Sequence, residues 1–257
     1  MQQNKKKVAF SFSRREVLNI IRTTAAALVV GCIGRQPASG MKTKKLTQSS
    51  MQTATQMTPG CVVKPQQTEG PYFVDEKLNR SDIRSDPSDG SVSEGVELKL
   101  VFHVSRMSSS SCTPLSGAII DVWHCDAKGV YSDVQDRSFD TRGKKFLRGY
   151  QVTDNNGTAQ FITIYPGWYP GRTVHIHFKI RTDATSRQSY EFTSQLYFDD
   201  ALTDEIHAQA IYATKGQRTL KNDQDRIFQD GGKELMLQFT KDDKSYTGTF
   251  DIGLQVS

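Results

Sequence analysis

Hydrophobic and polar positions alternate in twos along much of the chain, the period of a half-buried β-strand. Val96, Leu98, Leu100, Phe102 and Val104 alternate with Glu97, Lys99 and His103. The pattern returns at Tyr190, Phe192, Ser194, Leu196 and Phe198, at Leu235, Leu237 and Phe239, and at Phe250, Ile252, Leu254 and Val256. Ala118–Trp123 is an apolar run of the length of a buried strand. Leu147–Val152 and Thr158–Ile164 flank Asp154-Asn-Asn-Gly157, whose Asn and Gly tolerate positive φ, so the two segments read as a hairpin. One helix is expected within Leu202–Ala213, with Thr203 as its cap and Glu205 in the first turn. Short strands without long helices between them predict an all-β fold. The expected form is an antiparallel β-sandwich with long active-site loops and at most short helices.

Thr173–Ile180 is the most informative strand. Val174, Ile176, Phe178 and Ile180 form one face, while Thr173, His175, His177 and Lys179 form the other. Both imidazoles therefore project from one side, roughly 6.5–7 Å apart at the backbone, which suits two ligands of one metal ion. A polar outer face that carries two histidines fits the same pattern, and the strand alone leaves both readings open.

Charge changes the picture of the N-terminus. Residues 1–45 hold ten Lys and Arg against one acid, Glu16, a balance of +9. With +5 for the whole chain, the remainder carries −4, so the folded part offers no electrostatic case for nucleic acid. Lys5-Lys6-Lys7, then Ser13-Arg14-Arg15-Glu16-Val17-Leu18, then apolar Ala25–Val30 is similar to a twin-arginine export signal. That apolar core is too short to span a bilayer, which takes about 20 residues. Val29-Val30-Gly31-Cys32 resembles a lipoprotein cleavage box, which would put a lipid on Cys32 and attach the protein to a membrane. The expected destination is periplasmic or extracytoplasmic. Residues 1–32 are thus read as the export signal, 33–60 as a flexible polar linker, and 61–257 as one catalytic domain. In an oxidising compartment Cys61 is expected to pair with Cys112, each lying just before a motif-bearing segment. Cys125 is the other candidate.

Three segments carry the chemistry. The first is Thr68-Glu69-Gly70-Pro71-Tyr72-Phe73, and the second runs from Gly117 to Ser132 through Asp121-Val-Trp123-His124-Cys125-Asp126 and Gly129-Val-Tyr131. The third is Tyr165-Pro-Gly167-Trp168-Tyr169-Pro170-Gly-Arg172-Thr-Val-His175-Ile-His177-Phe178. Together they resemble the intradiol ring-cleavage dioxygenases, non-haem ferric enzymes that include protocatechuate 3,4-dioxygenase and catechol 1,2-dioxygenase. The third segment is the most specific: Tyr-Pro, then Arg, then two residues and His-x-His.

The resemblance implies one Fe(III) per catalytic domain, held by Tyr131, Tyr169, His175 and His177. Phenolate is a hard, anionic donor that favours Fe(III), and imidazole is compatible with either oxidation state. Two phenolates and one hydroxide neutralise a 3+ centre, so such a site can be buried. It also implies cleavage of a catechol-type diol by O2 between its hydroxyl-bearing carbons, giving a cis,cis-muconate-type diacid. Tyr169 would be the ligand that departs with a substrate proton. Arg172 would stabilise developing negative charge, and Gln195 would lie close by. Gly70 and Tyr72 match a loop at the substrate pocket. Tyr165 reads as structural and Trp123 as core, while Asp121, His124 and Asp126 read as supports of the Tyr131 loop. The helical N-terminal dimerisation domain of catechol 1,2-dioxygenases has its place taken here by the leader and linker. A homo-oligomer is still an expected assembly. The rival readings are a metal-free, transthyretin-like binding sandwich and a metalloenzyme of another class.

Overall fold

In the computed structural model, residues 62–109, 111–182, 190–242 and 245–256 are described. The export signal, the linker and Cys61 lie outside them. The alternating segments form two sheets. The first comprises β1 (Glu97–Met107), β2 (Cys112–Pro114), β5 (Thr158–Ile164), β8 (Gln238–Lys241) and β9 (Tyr246–Leu254). The second is ordered β4 (Arg148–Val152), β3 (Ile119–Trp123), β6 (His175–Arg181), β7 (Glu191–Tyr197). β1 is central to its sheet, pairing with β2, β5 and β9.

The sandwich is not wholly antiparallel. β1 and β9 run parallel from Leu98↔Tyr246 to Arg106↔Leu254. A parallel pair needs a long crossover, and nearly the whole domain lies between these two strands. The expected hairpin around Asp154–Gly157 is also corrected. The turn forms, with Gly157 N–H donating to Asp154 O at 2.9 Å. Its arms then diverge: β4 pairs with β3 and β5 with β1, so the turn joins the two sheets.

The apolar faces meet between the sheets. Phe178 of β6 lies 5.4 Å from the ring centroids of both Phe102 and Phe250 on the opposing sheet. These rings, with Leu98, Leu100, Ile120, Ile176 and Ile180, are fully buried. Each such side chain contributes about 1.5–3 kcal/mol on leaving water.

Between β7 and β8 the chain forms short helices, α1 (Asp200–His207), α2 (Ala210–Ala213) and α3 (Arg226–Gln229), with 3-10 turns at Asn222–Gln224 and Gly232–Leu235. The cap of α1 is Asp199, whose carboxylate accepts from Ala201 N and Leu202 N. Thr203 lies inside the helix instead, its hydroxyl donating to Asp199 O. Leu235 ends a 3-10 turn, so the expected strand begins later, at Gln238. Among the described residues no helix is long and apolar enough to cross a membrane. Cys112 is disulfide-bonded and Cys125 is a buried free thiol; Cys61, the expected partner, lies outside the described residues.

Candidate metal centre

β6 is buried on both faces. The side carrying His175 and His177, which the alternation alone allowed as an outer face, is covered by aromatic side chains. Trp123, the neighbour of His177 in the β3–β6 register, stacks on its imidazole at 5.0 Å and 7°. Trp123 therefore belongs to a small cluster with Cys125, Tyr131, Tyr72, Phe73 and Tyr169 rather than to the main core.

Two loops bring the tyrosines to this face. The Asp126 carboxylate accepts from Lys128 N and Val130 N at 2.8 and 2.9 Å, closing the turn that delivers Tyr131. After it, Thr141 donates its hydroxyl to Tyr131 O, and the buried Arg148 guanidinium donates to Ser132 O. The loop of Tyr169 is tied to the first: Gly167 N–H donates to Asp126 O at 3.0 Å. His124 steadies the junction, bridging Cys125 O at 2.8 Å and Thr163 Oγ1 at 2.7 Å. Asp126 and His124 thus support the loop as expected. Asp121 does not; it forms a bidentate pair with Arg181, both contacts at 2.9 Å. Tyr165 is structural, hydrogen-bonded to Thr203 at 2.7 Å.

Four donors converge. His175 Nε2 lies 3.0 Å from His177 Nε2 and 3.1 Å from Tyr169 Oη. The Tyr131 ring meets Tyr169 edge-on, with centroids 5.8 Å apart. His175 Nδ1 is 2.7 Å from Thr173 O, a carbonyl that only an N–H can satisfy, so Nε2 presents its lone pair inward. Burial, with Arg172 next, pulls the His175 imidazole down to about 3, and burial holds His177 well below its usual range. Both rings are neutral near pH 7, as ligands must be. Burial pushes both phenols up. Among the described residues the Tyr131 hydroxyl is buried with no partner in hydrogen-bonding geometry, and the Tyr169 phenol is its polar neighbour. A buried orphan phenol facing another phenol, with two imidazole nitrogens in near contact, is the arrangement a cation resolves. Among the described residues no three His, Cys, Asp or Glu side chains group together, so the phenols are required to complete a donor set. The residues fit ferric iron, the hard cation that phenolates select.

Arg172 lies beside this centre, its Nη1 3.4 Å from His175 Nε2. Its Nη2 donates to Gln195 Oε1 at 2.6 Å, and Gln195 sits opposite His177 in the β6–β7 register. Gln195 Nε2 in turn donates to Thr68 O at 2.9 Å. Gly70 lies against the His177 ring, and Tyr72 stacks on Tyr131 at 4.5 Å while donating to Asp136 at 2.8 Å. All the expected site residues thus come together. Asp225, which the sequence did not single out, joins them through Arg172 Nε at 2.8 Å. Its only signal is a helix-capping position before Arg226-Ile227-Phe228.

A family model described as dioxygenase matches residues 68–255. An intradiol ring-cleavage dioxygenase from Tetranychus urticae has a similar structure, with 30% identity and a TM-score of 0.63, covering 77% of this chain and 95% of that one. The chain belongs to the intradiol ring-cleavage dioxygenase family. The dioxygenase domain of a dioxygenase carbohydrate-binding protein fusion from the cellulolytic bacterium Streptomyces sp. SirexAA-E is also similar, at 28% identity and a TM-score of 0.53, covering 76% of this chain and 100% of that one. A chlorocatechol 1,2-dioxygenase of Pseudomonas putida is 31% identical over 103 residues, 33% of this chain and 36% of its own length. Matches to four curated relatives span between 36% and 49% of those proteins.

Proposed function

We propose that the chain is a non-haem Fe(III) intradiol dioxygenase that opens a catechol-type diol between its hydroxyl-bearing carbons with O2, giving a cis,cis-muconate-type diacid. The observation that carries this is the clustering of two phenols and two neutral imidazoles beside an arginine, on a face covered by aromatic side chains. Tyr131, Tyr169, His175 and His177 hold the iron, one per domain. Iron held there would supply the Lewis-acid and electron-transfer character that makes a diol's ring reactive toward O2. Tyr131 is buried to 1% exposure, whereas Tyr169 is only partly buried and is the phenol placed to leave and take a substrate proton. The fixed guanidinium of Arg172 then faces negative charge as it develops, an interaction strongest in a dry site. Relatives named for catechol and chlorocatechol support the substrate class.

The test is the product. Ferric-loaded protein given catechol in air is expected to form the muconate-type diacid. A ring cut outside the diol, or catechol left intact, overturns the proposal.

Residues 1–32 are proposed to direct twin-arginine export, with a lipid on Cys32. The disulfide at Cys112 suits the oxidising compartment this implies. Replacing Arg14 and Arg15 by lysine is expected to retain the protein in the cytoplasm, and Cys32→Ala to release it from the membrane fraction. Export or membrane attachment untouched by these changes contradicts the corresponding part.

A further inference from the structure

Arg172 has three hydrogen-bonding edges, and each has a different partner. Nη1 faces His175 Nε2, Nη2 is held by Gln195, and Nε is held by the Asp225 carboxylate. An arginine side chain is long and flexible, so the direction of its site-facing edge depends on the other two.

The two oxygens of Asp225 have separate tasks. Oδ1 accepts from Ile227 N at 2.7 Å and Phe228 N at 3.3 Å, capping α3. Oδ2 accepts from Arg172 Nε and from Thr173 N, both at 2.8 Å. The same turn binds Thr173 a second time, through its hydroxyl to Asn222 Oδ1 at 2.7 Å. The Thr173 carbonyl then receives the Nδ1–H of His175.

We propose that Asp225 is a positioning residue for the reaction, holding the guanidinium edge of Arg172 toward the metal centre through its Oδ2. This rests on the functional reading of that centre. A cap for a four-residue helix does not by itself need a carboxylate, because serine or asparagine caps as well. Burying an anion at 2% exposure is costly unless a cation meets it, and Arg172 is that cation. Burial alone would raise the Asp225 carboxyl, but the Thr173 amide and Arg172 outweigh it and keep it ionised.

Asp225→Ser separates the two tasks, since serine retains the cap and removes Oδ2. The readouts are iron per chain, the visible tyrosinate band of the resting protein, and kcat and KM for catechol per bound iron. Asp225→Ser is expected to keep the iron and the band while lowering kcat per iron about 10–100-fold, with KM changed less than about 3-fold. In an Arg172→Gln background the same substitution is expected to lower kcat by less than about 2-fold, because the two residues act as one unit. Asp225→Asn, which also caps and preserves volume, runs the same comparison if the serine variant does not fold. Unchanged kcat per iron, activity lost only in proportion to lost iron, or the full loss repeated on Arg172→Gln overturns the proposal. A wild-type protein without band or turnover overturns the functional reading instead.

Discussion

Gly70→Ala tests how tightly the centre is packed. Gly70 has φ +73°, and a Cβ there would lie 3.2 Å from His177 Cε1 and 3.7 Å from Nε2. Gly90 serves as its control: its φ is +75°, and nothing lies within 4 Å of the Cβ it would gain. Alanine in the left-handed region costs about 1–2 kcal/mol at either position. Only at Gly70 must a neighbour also give way by a few tenths of an ångström. The His177 ring is stacked on Trp123, and among the described residues its Nδ1 has no hydrogen-bond partner, so apart from the Nε2 contact with His175 packing sets its angle. Ligand supports of this kind are worth about 10–100-fold in metal affinity or activity. Both variants are therefore expected to lose about 1–2 kcal/mol in urea unfolding of the metal-free protein. In chelator competition Gly70→Ala is expected to bind iron at least about 10-fold more weakly than Gly90→Ala. Equal iron affinity in the two variants refutes the argument.

Tyr131→Phe removes a buried hydroxyl that has no hydrogen-bond partner among the described residues, so the metal-free protein is expected to be unchanged or up to about 1 kcal/mol more stable while iron binding collapses. Tyr165→Phe loses a hydrogen bond to Thr203, and should cost about 1 kcal/mol and leave iron binding intact; a reversed pattern in either variant contradicts the site assignment. Burial holds His124 down to about 4 when folded, against about 6.5 when unfolded, so its contribution is complete above pH 6.5 and is lost as pH falls toward 4. That loss amounts to about 3 kcal/mol, and His124→Gln should flatten this part of the stability profile, measured by urea titration at each pH; an unaltered slope counts against it. Phe178→Ala, removing the ring between Phe102 and Phe250, should cost about 3–5 kcal/mol, and a loss below about 1 kcal/mol in the same assay contradicts the packing described.

The alternating segments located nearly every strand because each strand has an apolar face turned toward the opposing sheet. Alternation does not say which sheet a strand joins. The Asp154–Gly157 turn therefore looked like a hairpin although its arms enter different sheets. Alternation also does not show what covers a polar face, and the histidine side of β6 proved as buried as its core side. The proposed metal donors were legible because their types and local spacing sit in two short segments. Asp225 was not, since it lies 53 residues from Arg172 in sequence, in a loop without periodicity. Trp123 sits at the end of an apolar run, and only the register with His177 shows that it packs on the centre.

Ferric titration of the purified metal-free protein, followed by visible absorption, reads the proposed iron site itself. A red-brown tyrosinate band is expected that saturates at about one iron per chain, shifts on anaerobic addition of catechol, and is lost or displaced in Tyr169→Phe and His175→Ala. A protein that stays colourless after ferric loading contradicts it.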